Sequence, residues 1–252
     1  MPSPVAVISD IHGNSFALKA VLREIQRRNI NRVINLGDTF YGPLDIPGTY
    51  ALLESCSISS VHIRGNGDRM LLAPVDKDKD NATVLYSKKH LTASLRNFLS
   101  TTPTVYYDDA LYACHGSPHS DMEYLLEEIQ HGSGALKKTE SVEETLAGIG
   151  QKMILCGHSH LARTFFIPAR GQLVVNPGSV GLPAYADDLP VPHMMEAGSP
   201  LAQFAVITHS STGWHVEQIQ LAYDWQAASA LAEKNGRPDW AFALATGRAA
   251  RP

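Results

Sequence analysis

The chain has 252 residues, with 21 basic against 25 acidic side chains, a net charge of −4, and 44% hydrophobic against 18% charged residues. Such a chain is long and apolar enough to bury one sizeable core without disulfides, and its charge excludes a disordered acidic tail or a cationic nucleic-acid coat. Eleven histidines are the compositional feature that this balance leaves unexplained. Cys56, Cys114 and Cys156 form no CxxC pair, which argues against a disulfide framework and for a reducing compartment. The first basic residue is Lys19, and the apolar run Val5 to Ile8 is too short for a leader or membrane helix. These features predict a soluble cytoplasmic protein with no membrane partner.

In chain order, Pro4 to Asp10 reads as a buried strand. A helix follows, because Leu18, Val21, Leu22 and Ile25 fall at i, i+3, i+4 and i+7 with charged residues on the opposite side. Arg32 to Leu36 and Ser60 to Arg64 read as further strands, with a helix over Pro47 to Glu54 between them. That alternation implies parallel pairing through right-handed crossovers. Asp76-Lys77-Asp78-Lys79-Asp80 reads as a solvated loop and Thr83 to Ser100 as one helix. Leu111 to Cys114, Met153 to Cys156 and Leu173 to Val175 are three more apolar runs, and Phe204 to Thr208 and Trp214 to Leu221 complete the strands. Pro183 to Pro200 reads as a long loop, and Asp224 to Arg248 as two helices broken at Gly236 to Pro238.

Asp10 with His12, Asp38, Asn66, His115, and His158 with His160 all sit at the C-terminal ends of predicted strands. Ligands bind at that edge of open α/β sheets. Any one of these residues reads most simply as a turn or capping residue, but the same explanation has to hold at five separate strand ends. Carboxylates, imidazoles and an amide form the ligand set of a divalent ion such as Mn, Fe or Zn. Seven candidate ligands exceed what one tetrahedral ion takes, which favours a two-metal centre.

The ordered motifs Asp10-Ile11-His12-Gly13-Asn14, Gly37-Asp38, Gly65-Asn66-Gly67-Asp68, His115-Gly116 and Gly157-His158-Ser159-His160 resemble the calcineurin-like metallophosphoesterase superfamily. Asn176-Pro177-Gly178-Ser179-Val180 extends the likeness to its small bacterial-type branch. The resemblance implies an α/β fold, a four-layer αββα sandwich of two mixed β-sheets flanked by helices. It places the chain in a single domain over residues 1–252, with a helical insertion around 70–100 and a C-terminal helical extension around 224–252. It also implies a cofactor of two divalent metal ions (Mn, Fe, Zn or Ni). Asp10, His12, Asp38 and His160 would hold one ion, and Asp38, Asn66, His115 and His158 the other, with a bridging hydroxide as nucleophile. Asp38, Asn66 and His115 are then catalytic, and Asn14 and Asn176 support the ligands or position phosphate, with Ser179 and Ser117 weaker candidates. The implied reaction is hydrolysis of a phosphodiester or a small phosphorylated substrate. The alternatives are a non-catalytic metal-binding scaffold on the same fold, or a protein phosphatase; nothing basic and aromatic-rich points to nucleic acid.

Three departures from the family pattern bear on chemistry. Gly67 stands where many members carry the histidine that protonates the leaving group, so activated or diester substrates are favoured. Asp68 then reads as structural, while His119 and His193 are the histidines that could substitute as acids. Thr39-Phe40-Tyr41-Gly42-Pro43 lacks the Asp-Arg-Gly signature of serine/threonine protein phosphatases, and Tyr41 reads as a packed loop aromatic or a residue at the mouth of the site. Leu182-Pro183-Ala184 follows the Asn176 motif without the arginine common in this branch, so a phosphate-binding cation is missing or comes from elsewhere. Cys114 and Cys156 adjoin the metal motifs and raise a rival Cys/His zinc site, although free cysteine ending an apolar run is more often core. Two divalent ions would cancel the chain's net charge and concentrate positive charge at one site.

Overall fold

Three short strands, β1 (Val5–Ile8), β2 (Arg32–Asn35) and β3 (Ser59–His62), pair in parallel. The antiparallel hairpin β13 (Ala202–Ser210) and β14 (Gly213–Leu221) flanks β1, giving a mixed sheet in the order β14-β13-β1-β2-β3. A second mixed sheet runs β4 (Val105–Tyr107), β5 (Leu111–Cys114), β8 (Met153–Leu155), β10 (Gln172–Asn176), β9 (Arg163–Ile167), with β5, β8 and β10 parallel. This arrangement comes from a computed structural model that describes residues 3–74 and 81–250. The acidic and basic run Asp76 to Asp80 lies outside the described residues.

The two sheets pack face to face through Val7, Ile34, Leu36, Ile63, Ala113, Leu155, Val175 and Ile207, all fully or nearly fully buried. Helix α1 (Ser15–Arg27) lays Leu18, Val21, Leu22 and Ile25 on the outer face of the first sheet, against Ile8, Val33 and Phe204. On the far side, Val142 of α6 (Thr139–Thr145) covers Cys114, Ile154, Cys156 and Val174. The helix-sheet-sheet-helix layering therefore follows from alternation along each strand, which sends one set of apolar residues inward and the other out. Cys114 and Cys156 belong to that outer core, where burial pushes the Cys114 thiol up to about 12 and the Cys156 thiol well above its ordinary value. Neither is a candidate metal ligand among the described residues, which removes the Cys/His zinc reading.

Two expectations need correction. Pro183 to Pro200 is not a structureless loop: β11 (Ala184–Asp187) and β12 (His193–Glu196) form a hairpin there. They join β7 (Ser133–Leu136) and β6 (Glu127–Gln130) in a third, four-stranded sheet. Its hydrogen bonds come from a segment some sixty residues away, so proline-rich composition concealed the strands. Thr83 to Ser100 is likewise two helices, α4 (Ala82–Lys89) and α5 (Ala93–Thr101), parted where the Thr92 hydroxyl accepts from the Leu95 amide at 3.1 Å and caps α5. Helices α2 (Ile46–Glu54) and α3 (Asn66–Leu72) follow β2 and β3. The C-terminal pair α7 (Trp225–Lys234) and α8 (Pro238–Thr246) packs through Trp240, Ala241 and Leu244 onto Leu44, Leu182 and Ala184. Among the described residues no helix is long and apolar enough to cross a membrane.

Phe204 is fully buried between the first sheet and α1. Phe204→Ala should lower the unfolding free energy by about 3–5 kcal/mol, read as a fall in the denaturant midpoint at unchanged slope.

Candidate metal centre

Register builds the site. Ile8 pairs with Asn35 and Asn35 with His62, so β1, β2 and β3 end at one level and release Asp10, Asp38 and Asn66 side by side. In the second sheet Ala113 pairs with Leu155 and Leu155 with Val175, which levels the loops that carry His115, His158 and Asn176. The loops are then laced together: Asp10 N donates to the Gly37 carbonyl and His12 N to the Asp38 carbonyl, each at 2.9 Å, and Gly157 N donates to the His115 carbonyl at 2.7 Å. Gly37 has φ +102°, and a Cβ there would lie 2.4 Å from the Gly65 amide nitrogen, so only glycine lets the first two loops meet the third.

Asp10, His12, Asp38, His158 and His160 all adopt left-handed backbone, with φ of 55°, 53°, 50°, 66° and 60°. Such conformations cost on the order of 1 kcal/mol or more each and persist where surrounding structure overdetermines them, most often at functional sites. Here they turn Asp10, His12, Asp38 and His160 sharply toward one point after the strands end, with His158 beside it.

That point is a buried floor of electron-pair donors. His12, His115 and His160 donate through Nδ1 to the carbonyls of Tyr41 (2.6 Å), Leu36 (2.8 Å) and Leu182 (2.6 Å). Each bond fixes the tautomer and aims Nε2 into the site. His12 Nε2 and His160 Nε2 lie 3.1 Å apart, and Asp10 Oδ1 lies 3.3 Å from His160 Nε2 and 3.9 Å from those of His12 and His115. Asp10 Oδ1 is buried without a hydrogen-bond partner. Beside it, His115 Nε2 is 2.9 Å from Asn66 Oδ1 and 3.6 Å from Asp38 Oδ1, which also accepts from the Gly67 amide at 2.8 Å. Two sets of ligand atoms converge within metal-binding range, Asp10 with His12 and His160, and Asp10 with Asp38 and His115. Acceptors facing one another with no donor between them call for a cation, and oxygen with imidazole nitrogen suits a divalent one. The residues thus fit the implied metal.

Asp10 belongs to both sets, whereas Asp38 belongs to the second alone. His158 joins the cluster through its ring, 5.2 Å from that of His115, and its amide donates to Asp10 Oδ2 at 3.2 Å. Protonation follows the packing. Burial and then the charge of His160 push His12 down to about 3, and burial and then His115 do the same to His158. Burial, with Asp68 and Asp10 nearby, raises Asp38 to about 7. For His115 burial acts downward, but Asp38 and Asp10 outweigh it and the net direction is up. Asp10 is held well below the carboxylate range, since His160, His115 and His12 together outweigh its burial.

The supporting residues act from behind the cluster. The Asn14 side chain caps α1 at Ala17 N (3.1 Å) and donates to the Gly181 carbonyl (2.9 Å), while Asn176 donates to the Gly157 carbonyl (2.8 Å) and Ser159 Oγ (3.0 Å). Both amides therefore hold ligand loops, and neither lines the cavity in front of the site. Ser179 Oγ donates to the Asp10 carbonyl, Ser117 Oγ to Glu123, and the Asp68 carboxylate accepts from the amides of Thr39 and Phe40; all three are structural bonds. His119 is exposed outside the cavity lining, and His193 is buried with Nε2 at 2.9 Å from the Tyr124 hydroxyl, so neither histidine takes the place of the missing acid.

Tyr41 occupies the space left by Gly67. A Cβ at Gly67 would fall 2.6 Å from Tyr41 Cβ and 2.8 Å from its Cγ, so a histidine at 67 and this tyrosine exclude each other. An aromatic wall surrounds the imidazoles: Tyr124 stacks on His158 at 4.8 Å, while Tyr185 and Trp240 meet His160 and His12 edge-on at 4.6 and 5.6 Å. Tyr185 comes from the hairpin read as a loop and Trp240 from the C-terminal helices, so no local motif announces either.

Residues 4–191 match the calcineurin-like phosphoesterase superfamily domain, and the chain belongs to that superfamily. It is 25% identical to an uncharacterised protein of Methanocaldococcus jannaschii, over 94% of this chain and 95% of that one. Its fold is similar to that of a metallophosphoesterase from Sphaerobacter thermophilus (TM-score 0.78, 20% identity, 98% of this chain and 100% of that one). A hypothetical protein from Pyrococcus horikoshii is also similar (TM-score 0.72, 20% identity, 98% and 99% covered). Both likenesses extend over the two C-terminal helices as well as the family domain.

Gly67→Ala should destabilise the protein by about 1–3 kcal/mol through overpacking against Tyr41. In a double-mutant cycle with Tyr41→Ala most of that loss should disappear; additive losses in thermal denaturation would show that the two residues do not share the space.

Proposed function

We propose that the chain is a metal-dependent hydrolase that cleaves a phosphodiester or a small phosphorylated substrate at a dinuclear centre. The observation that carries this reading is the convergence of His12 Nε2, His160 Nε2 and the unpartnered Asp10 Oδ1 on one point, with a second set around Asp38 and His115 beside it. In this reading Asp10, His12, Asp38 and His160 would hold one ion and Asp38, Asn66, His115 and His158 the other, with Asp10 also within reach of the second and Mn, Fe, Zn or Ni all compatible with the donors. When bound, such a pair lowers the pKa of water and neutralises charge on the phosphoryl group.

The chain's own residues supply the rest. Backbone carbonyls hold three imidazoles in the tautomer that presents Nε2. His12, Asp38, Asn66, His158 and His160 line a cavity of about 390 Å³, so a substrate reaches the cluster from one side. Gly67 and Tyr41 leave no imidazole at the usual acid position, and general-acid help is worth roughly 10²–10⁴-fold. Esters with good leaving groups are therefore favoured over alkyl monoesters. A scaffold on the same fold is the competing reading, and turnover separates the two.

Mn²⁺-loaded protein should hydrolyse bis(p-nitrophenyl) phosphate, lose that activity with chelator, and recover it on readdition of metal. Asp38→Asn should lower kcat on the order of 10²–10³-fold. Equal rates in wild type and variant, both with metal bound, would support the scaffold.

Metal affinity should depend on pH with a definite sign. Asp38 has to lose its proton to act as a ligand, and burial holds it up to about 7. Affinity for Mn²⁺ should thus rise with pH through about 7, and His115, itself raised by Asp38 and Asp10, adds to the rise, with protons released on binding over that range. Calorimetric titration at pH 6 and pH 8, in buffers of different ionisation enthalpy, reads both effects; affinity independent of pH would contradict them.

A further inference from the structure

The cavity that opens on the ligand cluster contains a feature that metal binding does not use. Arg237, at the boundary between α7 and α8, is the only lysine or arginine among its described lining residues. Its side chain is 20% exposed and is held from three directions. Nε and one terminal nitrogen donate to the Asp239 carboxylate at 2.9 and 2.6 Å, the other terminal nitrogen donates to Thr83 Oγ1, and the guanidinium lies over the Trp240 ring at 5.5 Å. A guanidinium has five N–H donors, so these three bonds leave two for a ligand. A plain surface ion pair contributes little and has no need of the stacking ring or the contact to α4. Asp239 takes the edge formed by Nε and one terminal nitrogen, and the cradle fixes the plane of the guanidinium so that the remaining N–H groups of the two terminal nitrogens keep one orientation, as recognition of a planar or tetrahedral anion demands.

Position says which anion. Trp240 contacts both Arg237, whose guanidinium lies over its ring, and His12, which it meets edge-on at 5.6 Å. Arg237 and the candidate ligand His12 therefore share one neighbour, the Trp240 ring, which sets the guanidinium apart from the ligand cluster. Asp187 and Asp188 also line the cavity, from the end of β11, and they repel a negative group placed near them.

We propose that Arg237 is a specificity-determining residue that binds a second anionic group of the substrate, set apart from the scissile phosphoryl. The preferred substrates are then phosphate esters that carry an additional negative charge. This rests on the phosphoesterase reading above.

A matched ligand pair tests it without turnover: thymidine 3′,5′-bisphosphate against thymidine 5′-phosphate, titrated calorimetrically into the Mn²⁺-loaded protein. Wild type should bind the bisphosphate at least about tenfold more tightly, the size of one charge-assisted contact. Arg237→Gln should bring the two affinities within about twofold, and Arg237→Lys, which keeps charge but loses the fork, should fall between. Circular dichroism checks folding, and if the glutamine variant is unfolded the lysine variant decides by the same ratio. Equal affinities in wild type, or a preference that survives in the variants, would overturn the proposal. The p-nitrophenyl esters of thymidine 5′-phosphate with and without a 3′-phosphate, and p-nitrophenyl phosphorylcholine, give the kinetic arm. Faster turnover of the 3′-phosphorylated ester supports Arg237, and preference for the choline ester would show that Asp187 and Asp188 dominate instead. Absence of all hydrolysis sinks the phosphoesterase reading, while the binding ratio still decides the role of Arg237.

Discussion

Mutual repulsion among buried electron-pair donors is the constraint on which this structure turns. His12, His160 and Asp10 present two nitrogens and an oxygen to one another with no proton donor among them. Left alone, such a group costs several kcal/mol of desolvation. The protein nonetheless builds it on the carboxyl ends of two sheets, with hydrogen bonds to carbonyl oxygens ensuring that the imidazoles cannot turn their N–H groups inward. Stability has been given up at this point in exchange for a strong demand for positive charge.

The surrounding structure keeps the arrangement from relaxing. Two sheets in matched register set the height of six loops, and loop-to-loop amide bonds close the gaps between them. Left-handed backbone at five of the candidate ligands has the same meaning, since it survives only where the rest of the fold leaves no alternative. Tyr124, Tyr185 and Trp240 then pack against the imidazole rings and limit their rotation. None of these three belongs to a recognisable motif, yet they back His158, His160 and His12.

The exchange of a histidine for Gly67 is not a simple deletion. Tyr41 fills the volume, and the Gly67 amide donates to Asp38, so the site has been repacked around the change. The space therefore holds a phenol ring with no room for an imidazole at residue 67. Charged groups around the cavity are segregated: acceptors at the floor, Arg237 paired with Asp239 on one wall and Asp187 with Asp188 at the hairpin rim. A net charge of −4 over the whole chain says nothing about this distribution.

The sequence by itself determined the strand ends and what they carry, because apolar runs that stop at Gly-Asp, Gly-Asn or Gly-His are local signals. Asp10, His12, Asp38, Asn66, His115, His158 and His160 could therefore be named, and so could the helix over Leu18 to Ile25 and the broken C-terminal pair. Only the tertiary structure decided the third sheet, since β12 finds its partner β7 far away along the chain. It also showed that Asn14 and Asn176 hold loops from behind, that Cys114 and Cys156 lie in the outer core, and that Tyr41 takes the place of an imidazole. Local pattern records which residues can act as ligands. Which side chains support, crowd or face them depends on contacts between segments that periodicity and spacing do not encode, and for that reason Arg237 and Trp240 became visible only once the chain was folded.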